Sequence, residues 1–393
     1  MIMIFILIII LEFLTLRALW EHYKHTKPIF YTLTAAHTLL SIWLFYLLIR
    51  VAFYKGNYDN PNNIWIRMNL TGMYCAVVFP RVLISILHYT GKLFRIKRGG
   101  HIRRLTKTGI IISIVIFTVI ALSTFIGRFN FKTGEVVIKI EDLDPRLEGL
   151  KIVHISDLHL AGFHKNMHRL QDAMDEINYQ KPDLIINTGD FISYGWREYG
   201  RSDTILVKAK SRYGNFAVIG NHDKGTYLPG STEADKDSVF LKLNELVTMS
   251  GYKVLNDEHV ILNVNGADIA IIGVETSGRH PGIIHGNVEK AYEGTDSADF
   301  RMLLIHDPNQ WRKDVTGKTD IELSLAGHTH GMQVGIYTKK FRWSPAKYFY
   351  PEWNGLYSEG DQYLYVNRGL GVLSIPFRIW MPPEITIIIL EKG

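Results

Sequence analysis

Residues 151–160 read Lys-Ile-Val-His-Ile-Ser-Asp-Leu-His-Leu. An apolar, β-branched run that stops at Ser156 and runs at once into Asp157 and His159 predicts a buried strand ending in a polar loop. The figure recurs along the chain. The run 183–187 is followed by Gly189-Asp190, and 215–219 by Gly220-Asn-His-Asp223. The run 302–305 is followed by His306, and 322–325 by Gly327-His-Thr-His330. Further strand-like runs lie at 268–273, 363–366 and 385–390. Between the early runs, Met167, Leu170, Met174 and Ile177 share one helix face. Val239, Phe240, Leu243, Leu246 and Val247 share another, with Gly251 as a stop. Strand and helix alternate early and strands dominate late. Residues 131–393 are therefore expected to form a layered α/β domain of stacked mixed sheets flanked by helices.

Upstream the composition changes. Residues 1–130 hold 15 Lys+Arg and 3 Asp+Glu, net +12; the remaining 29 and 35 leave 131–393 at −6. A nucleic-acid-binding domain would carry the basic excess itself, so no nucleic-acid partner is expected. The N-terminal third instead reads as a multi-pass, helical membrane region in contact with the lipid bilayer. Segments 29–49 and 109–126 lack charged residues. Segment 1–19 carries Glu12 and Arg17, and 68–91 carries Arg81 and Pro80, giving about four spans. Segment 1–19 has neither a positive n-region nor a small-residue cleavage site, and reads as a span. Arg17 and Arg67 lie where they can snorkel; Glu12 and Arg81 are open to a functional reading. Lys92, Arg95, Lys97, Arg98, Arg103, Arg104 and Lys107 crowd 91–108, whereas 54–63 has only Lys55. The positive-inside rule then places 91–108 in the cytoplasm and the 131–393 domain outside it, on a cell (inner) membrane. The single cysteine, Cys75, has no disulfide partner.

The polar clusters sit at the C-terminal ends of the predicted strands, where following loops converge. Carboxylate, amide and imidazole donors together suit Mn, Fe or Zn better than Ca or Mg. Glycines before Asp190, Asn221 and His328 permit sharp turns. The ordered set Asp-x-His, Gly-Asp, Gly-Asn-His-Asp, His, Gly-His-x-His resembles the calcineurin-like metallophosphoesterase superfamily over roughly 150–393. The 327–333, 367–371 and 383–385 stretches resemble its membrane-anchored phosphohydrolase branch. The resemblance implies two divalent metal ions. Asp157, His159 and His330 would hold the first, Asn221, His306 and His328 the second, and Asp190 would bridge them. Such a pair clamps phosphate oxygens during in-line displacement, and His222 would protonate the leaving group. Ser193 and Tyr194 stand where many members have an Asp supporting that histidine and an Arg. Met332 stands where relatives usually have Gly, reshaping the substrate mouth.

Arg368 is a candidate for a phosphate or loop-anchoring contact, and His164 for a substrate contact. His154 reads as core; His259, His280 and His285 read as loop residues. Segment 337–357 mixes Lys339, Lys340, Arg342 and Lys347 with aromatics, a membrane-interface composition in which Trp343, Phe349 and Trp353 are the expected anchors. Three functions follow: a metal-dependent hydrolase of phosphate esters or pyrophosphates on a lipid or envelope-linked substrate, the same chemistry on soluble nucleotides, or an inert sensor or scaffold. The complete ligand set argues against the last. Four spans exceed what a tether needs, which favours the first. Lipid A nucleotide pyrophosphatases share the chemistry but work at the cytoplasmic face, unlike the outward topology read here.

Overall fold

A computed structural model describes residues 2–52, 57–93, 99–276, 286–338 and 341–393. Lys55, Arg95, Lys97, Arg98, His280, His285, Lys339 and Lys340 lie outside the described residues, as does the side chain of Arg103. The chain divides into two compact units, one of Met1–Gly56, Arg67–Ile126 and Ile375–Phe377, the other of Asn57–Ile66, Gly127–Ser374 and Arg378–Gly393.

Four helices build the N-terminal third: α1 (Ile2–Tyr23), α2 (Lys27–Ala52), α3 (Pro61–Leu93) and α4 (Gly99–Phe125). Among the described residues three helical stretches are long and apolar enough to cross a membrane, Lys27–Arg50, Pro61–Leu93 and Arg104–Phe125. The expected four spans thus correspond to four helices of which three meet that test. Glu12 and Arg81, expected only as separate charges, form an ion pair. His37 Nε2 lies 2.5 Å from the same carboxylate, and Ser41 Oγ donates to it at 2.7 Å. Pairing removes most of the cost of leaving such charges in an apolar bundle.

The second unit has four layers. One sheet runs β1 (Lys132–Ile140), β14 (Glu384–Lys392), β2 (Lys151–Ile155), β3 (Leu184–Asn187), β4 (Asn215–Ala217), β5 (Tyr252–Val254). The other runs β12 (Gly355–Glu359), β13 (Gln362–Val366), β9 (Leu323–Ala326), β8 (Phe300–Leu304), β7 (Ala267–Gly273), β6 (Glu258–Val264). A small hairpin, β10 (Ile336–Tyr337) with β11 (Arg342–Trp343), stands apart from both. Strands β2 to β5 are mutually parallel, as are β13, β9, β8 and β7.

The period of two in the strands decides the layering. Ile152, Leu184, Ile186, Ile269, Ile271, Met302, Leu304, Leu323 and Leu325 interleave between the sheets. Their neighbours Val153, Ile155 and Ile185 face the other way, onto Leu170, Met174 and Ile177 of α5 (Met167–Tyr179) and Leu243 and Val247 of a long helix, Glu233–Met249. Ala270, Ile272, Leu303 and Ile305 cover the far side with Val288, Ala291 and Trp311. Each central strand is apolar on both faces because both faces are covered. The two runs of parallel strands bring the ends of β2, β3, β4, β8 and β9 out with their polar loops.

Candidate metal centre

Each proposed ligand follows the C-terminal end of one of those strands, and the chain bends sharply to present it. Asp157 (φ 51°), His159 (41°), Asp190 (57°), His328 (69°) and His330 (51°) all adopt left-handed backbone. Non-glycine residues seldom do so, Asp and His more readily than most. Of the preceding glycines only Gly189, at φ 96°, needs that freedom itself. Gly220 and Gly327 are required for space: a Cβ on Gly220 would lie 2.2 Å from Asp190 Oδ1, and on Gly327 1.9 Å from Ser156 Oγ.

The donor atoms converge in two groups. Asp157, His159 and His330 form one, and Asp190, His306 and His328 the other. In the first, His159 Nε2 is 3.1 Å from His330 Nε2, and His330 Nε2 is 3.3 Å from Asp157 Oδ1. In the second, His306 Nε2 is 3.1 Å from His328 Nδ1 and 3.0 Å from Asn221 Oδ1. Asp190 Oδ2 stands 3.2 Å from His306 Nε2 and 3.7 Å from His159 Nε2, so it faces both groups. Metal–ligand bonds of about 2.0–2.2 Å separate neighbouring donors by roughly 3.0–3.5 Å.

The outer partners assign the tautomers. His306 Nδ1 donates to the Thr188 carbonyl at 2.7 Å, which leaves Nε2 a lone pair. His159 Nδ1 lies 3.1 Å from Ser193 Oγ, and His328 Nε2 lies 2.9 Å from the Tyr350 hydroxyl. His306 Nε2 thus faces inward with a lone pair, the Ser193 and Tyr350 hydroxyls let His159 Nε2 and His328 Nδ1 do the same, and Arg378 Nη2 stands 3.4 Å from His330 Nδ1 on the outer side. Burial opposes protonation of His306, but the Asp190 carboxylate outweighs burial and pushes the imidazole up to about 10. Burial pushes His328 down to about 4. The residues present therefore fit a pair of divalent ions held by mixed nitrogen and oxygen donors.

His222 is held differently. Its backbone N–H donates to Asp190 Oδ1 at 2.9 Å. Its Nδ1 lies 2.8 Å from the Ser193 carbonyl oxygen, and the Tyr227 ring stacks on it at 4.1 Å. Burial lowers its pKa. The supporting Asp of many relatives is thus replaced here by the main chain of the Ser that stands in its position.

Arg368 is only 3% exposed. Its Nε pairs with Glu384 Oε2 at 3.0 Å and its guanidinium covers the Tyr337 ring at 4.1 Å. Of the two roles expected for it, this geometry serves loop anchoring. The loop it anchors matters: Leu370 and Gly371 N–H donate to the carbonyls of Ser156 and Asp157, each at 2.8 Å. His164 is half-buried just past the 3-10 turn Leu160–Phe163. His154 is fully buried in β2, its Nε2 3.0 Å from Thr188 Oγ1. Met332 does not open the mouth of the site. It packs against the buried group Ala346, Tyr350, Trp353 and Met381, and its φ of 46° is a conformation Gly adopts at lower cost.

Sequence reasoning missed the buried carboxylates behind the ligands. Asp223 accepts N–H bonds from Asp190 at 2.8 Å, Ile192 at 3.1 Å and Gly220 at 2.9 Å. Its place in the Gly-Asn-His-Asp motif was the available signal. Tyr227 and Tyr350 had none, the first being a single aromatic in a polar loop and the second one of many in an aromatic-rich segment.

Comparison with known proteins agrees with this geometry. A family model described as calcineurin-like phosphoesterase matches residues 150–332. The uncharacterized metallophosphoesterase YkuE of Bacillus subtilis is 32% identical over 269 residues, covering 66% of this chain and 86% of that protein. A transmembrane protein with metallophosphoesterase domain from Danio rerio is 27% identical over 376 residues, covering 89% of this chain and 81% of that protein. The UDP-2,3-diacylglucosamine pyrophosphatase LpxG of Chlamydia muridarum is 26% identical over 297 residues, covering 64% and 88%. A phosphate-ester hydrolase joined to apolar helices of spanning length is what both the site and the relatives describe, and the chain belongs to the calcineurin-like metallophosphoesterases.

Proposed function

We propose that this protein cleaves phosphate ester or pyrophosphate bonds of a lipid or envelope-linked substrate, from a catalytic domain outside the cytoplasm of the cell membrane. The observation that carries the hydrolytic part is the convergence of two donor groups on Asp190 Oδ2, 3.2 Å from His306 and 3.7 Å from His159. Bound there, two Mn, Fe or Zn ions would supply Lewis acidity toward the phosphate oxygens. Asp157, His159 and His330 would hold one ion, Asn221, His306 and His328 the other, with Asp190 shared. His222 supplies the proton for the leaving group. With Nδ1–H donated to the Ser193 carbonyl, the proton is delivered from Nε2 of the imidazolium form.

The lipid part rests on the surface beside the site. Ile336, Phe341, Tyr348 (68% exposed), Phe349 and Trp380 (73%) are exposed apolar side chains in and near the β10–β11 hairpin. Arg342 and Lys347 stand among them, over the rings of Tyr337 and Tyr348 at 5.1 and 5.2 Å. Aromatics with basic residues make the composition of a bilayer interface. Trp353, expected as an anchor, is instead buried, so the surface is built from Phe341, Tyr348, Phe349 and Trp380. The name of the Chlamydia relative, a pyrophosphatase of a diacylated sugar nucleotide, supports an acyl-bearing phosphate substrate but not the outward location of the domain. Soluble nucleotides are the competing reading. Replacing those four aromatics by Ser decides between them: hydrolysis of a soluble nitrophenyl ester is retained, and hydrolysis of a phospholipid in vesicles falls at least tenfold. A parallel change in both activities would remove the lipid reading.

A further inference from the structure

We propose that Glu198 is a positioning residue for His222, acting through the main-chain carbonyl of Ser193. The inference rests on the reading of His222 as proton donor. A carbonyl only accepts hydrogen bonds, so its 2.8 Å contact with Nδ1 fixes the imidazole tautomer and leaves Nε2 for the reaction. A main-chain acceptor is only as well placed as its turn, however, and Ser193 lies in an irregular segment between β3 and the 3-10 turn Trp196–Tyr199.

Glu198 makes that segment rigid. It is 2% exposed, and its two oxygens take three consecutive backbone N–H groups. Ser193 donates to Oε2 at 2.8 Å, while Tyr194 and Gly195 donate to Oε1, the latter at 3.0 Å. From the other side Asp223 takes the N–H groups of Asp190 and Ile192. Five of the six residues 190–195 are thus tied by their N–H groups to two buried carboxylates. Three N–H bonds to one buried carboxyl group fix the turn by their number, each of them modest alone. Ser193 itself divides its work: its Oγ faces the ligand His159 and its carbonyl faces His222. The support that a side-chain carboxylate gives elsewhere in the family is here provided at one remove, by a carboxylate that fixes a carbonyl.

The test uses the full-length protein in detergent with Mn(II), on aryl phosphate esters running from 4-nitrophenyl to phenyl. Glu198→Gln keeps the shape but turns one acceptor into a donor. We expect kcat on the phenyl ester to fall about 10–100-fold, the range for loss of an outer-sphere partner, with a much smaller fall on the 4-nitrophenyl ester, whose leaving group needs little protonation. KM and metal content stay unchanged. Ser193→Ala and Ser193→Gly form a second pair in case Glu198→Gln folds poorly. Both lose Oγ, but only Gly frees the carbonyl, so only Gly should steepen the leaving-group dependence. His222→Asn calibrates the series. If it steepens the dependence while Glu198→Gln and Ser193→Gly do not, the positioning role is overturned and the donor role stands. If His222→Asn lowers kcat equally on all esters, the donor role fails and the positioning role with it.

Discussion

Asp190→Asn isolates the shared ligand with little change of shape. Asn retains an oxygen that accepts the His222 N–H, now made to Oδ1 at 2.9 Å, so the loop should keep its form. What changes is the bridging atom. In place of Oδ2, which faces His306 at 3.2 Å and His159 at 3.7 Å, an amide N–H₂ would stand, which cannot ligate. The shared negative charge goes too. Both ions should therefore be lost, whereas His328→Ala removes a donor from one group only. A metal present at 1,000 times its Kd stabilises a fold by about 4 kcal/mol, which in a unit of this size raises Tm by about 8–16 °C. Elemental analysis of the purified proteins, with melting curves before and after EDTA, reads both quantities. With each of two ions contributing that much, the wild type should lose about 16–32 °C to chelation; Asp190→Asn should hold none and be insensitive to it. Two ions retained in Asp190→Asn would refute the shared-ligand assignment.

Met332, at φ 46°, should tolerate Gly better than Ala by about 1 kcal/mol, the reverse of the usual order, because only Gly escapes the left-handed penalty; equal melting temperatures for the two variants would count against this. Burial raises the Glu322 carboxyl from 4.5 to about 6, so its contribution is fully present below 4.5 and lost as pH rises through about 6. At about 1.4 kcal/mol per unit that is about 2 kcal/mol, and Glu322→Gln should flatten the fall in stability between pH 4.5 and 7.5. Fusions at residue 130 should give active alkaline phosphatase and silent cytoplasmic reporters, since Arg104 and Lys107 open the last apolar stretch; the opposite pattern would place the domain inside.

The core strands were legible because burial on both faces writes an unbroken apolar run into the sequence, as in 152–155 and 302–305, and because five of the runs are followed by proposed ligands. Strands β1, β5, β6 and β12 and the β10–β11 hairpin were not anticipated. Strand β1 finds its parallel partner at the far end of the chain, Lys132 opposite Glu384, a pairing no local pattern announces. For β6 a signal existed: Asn265-Gly266, both left-handed at φ 53° and 95°, is the tight turn joining it to β7. Thr232 and Asp235, the capping box that starts Glu233–Met249, was equally readable. The aromatic segment 337–357 was not, for it has no periodicity to tell buried Tyr350 and Trp353 from exposed Tyr348 and Phe349. Nor was Glu198, whose importance lies in the three N–H groups it receives.

The left-handed ligands explain why so many carboxylate and carbonyl contacts surround the site. Five ligand residues with positive φ cost about 1 kcal/mol or more each, a sum comparable with the whole stability of many domains. Such a conformation survives only where neighbours over-determine it. Asp157 N–H donates to the Gly189 carbonyl at 2.8 Å and His159 N–H to the Asp190 carbonyl at 3.1 Å, so the first two ligand loops tie each other. His328 N–H donates to Asp157 Oδ2 at 3.0 Å, which ties the third. Asp223 and Glu198 tie the second from behind. The loops that carry the two donor groups are thus tied to one another by protein contacts.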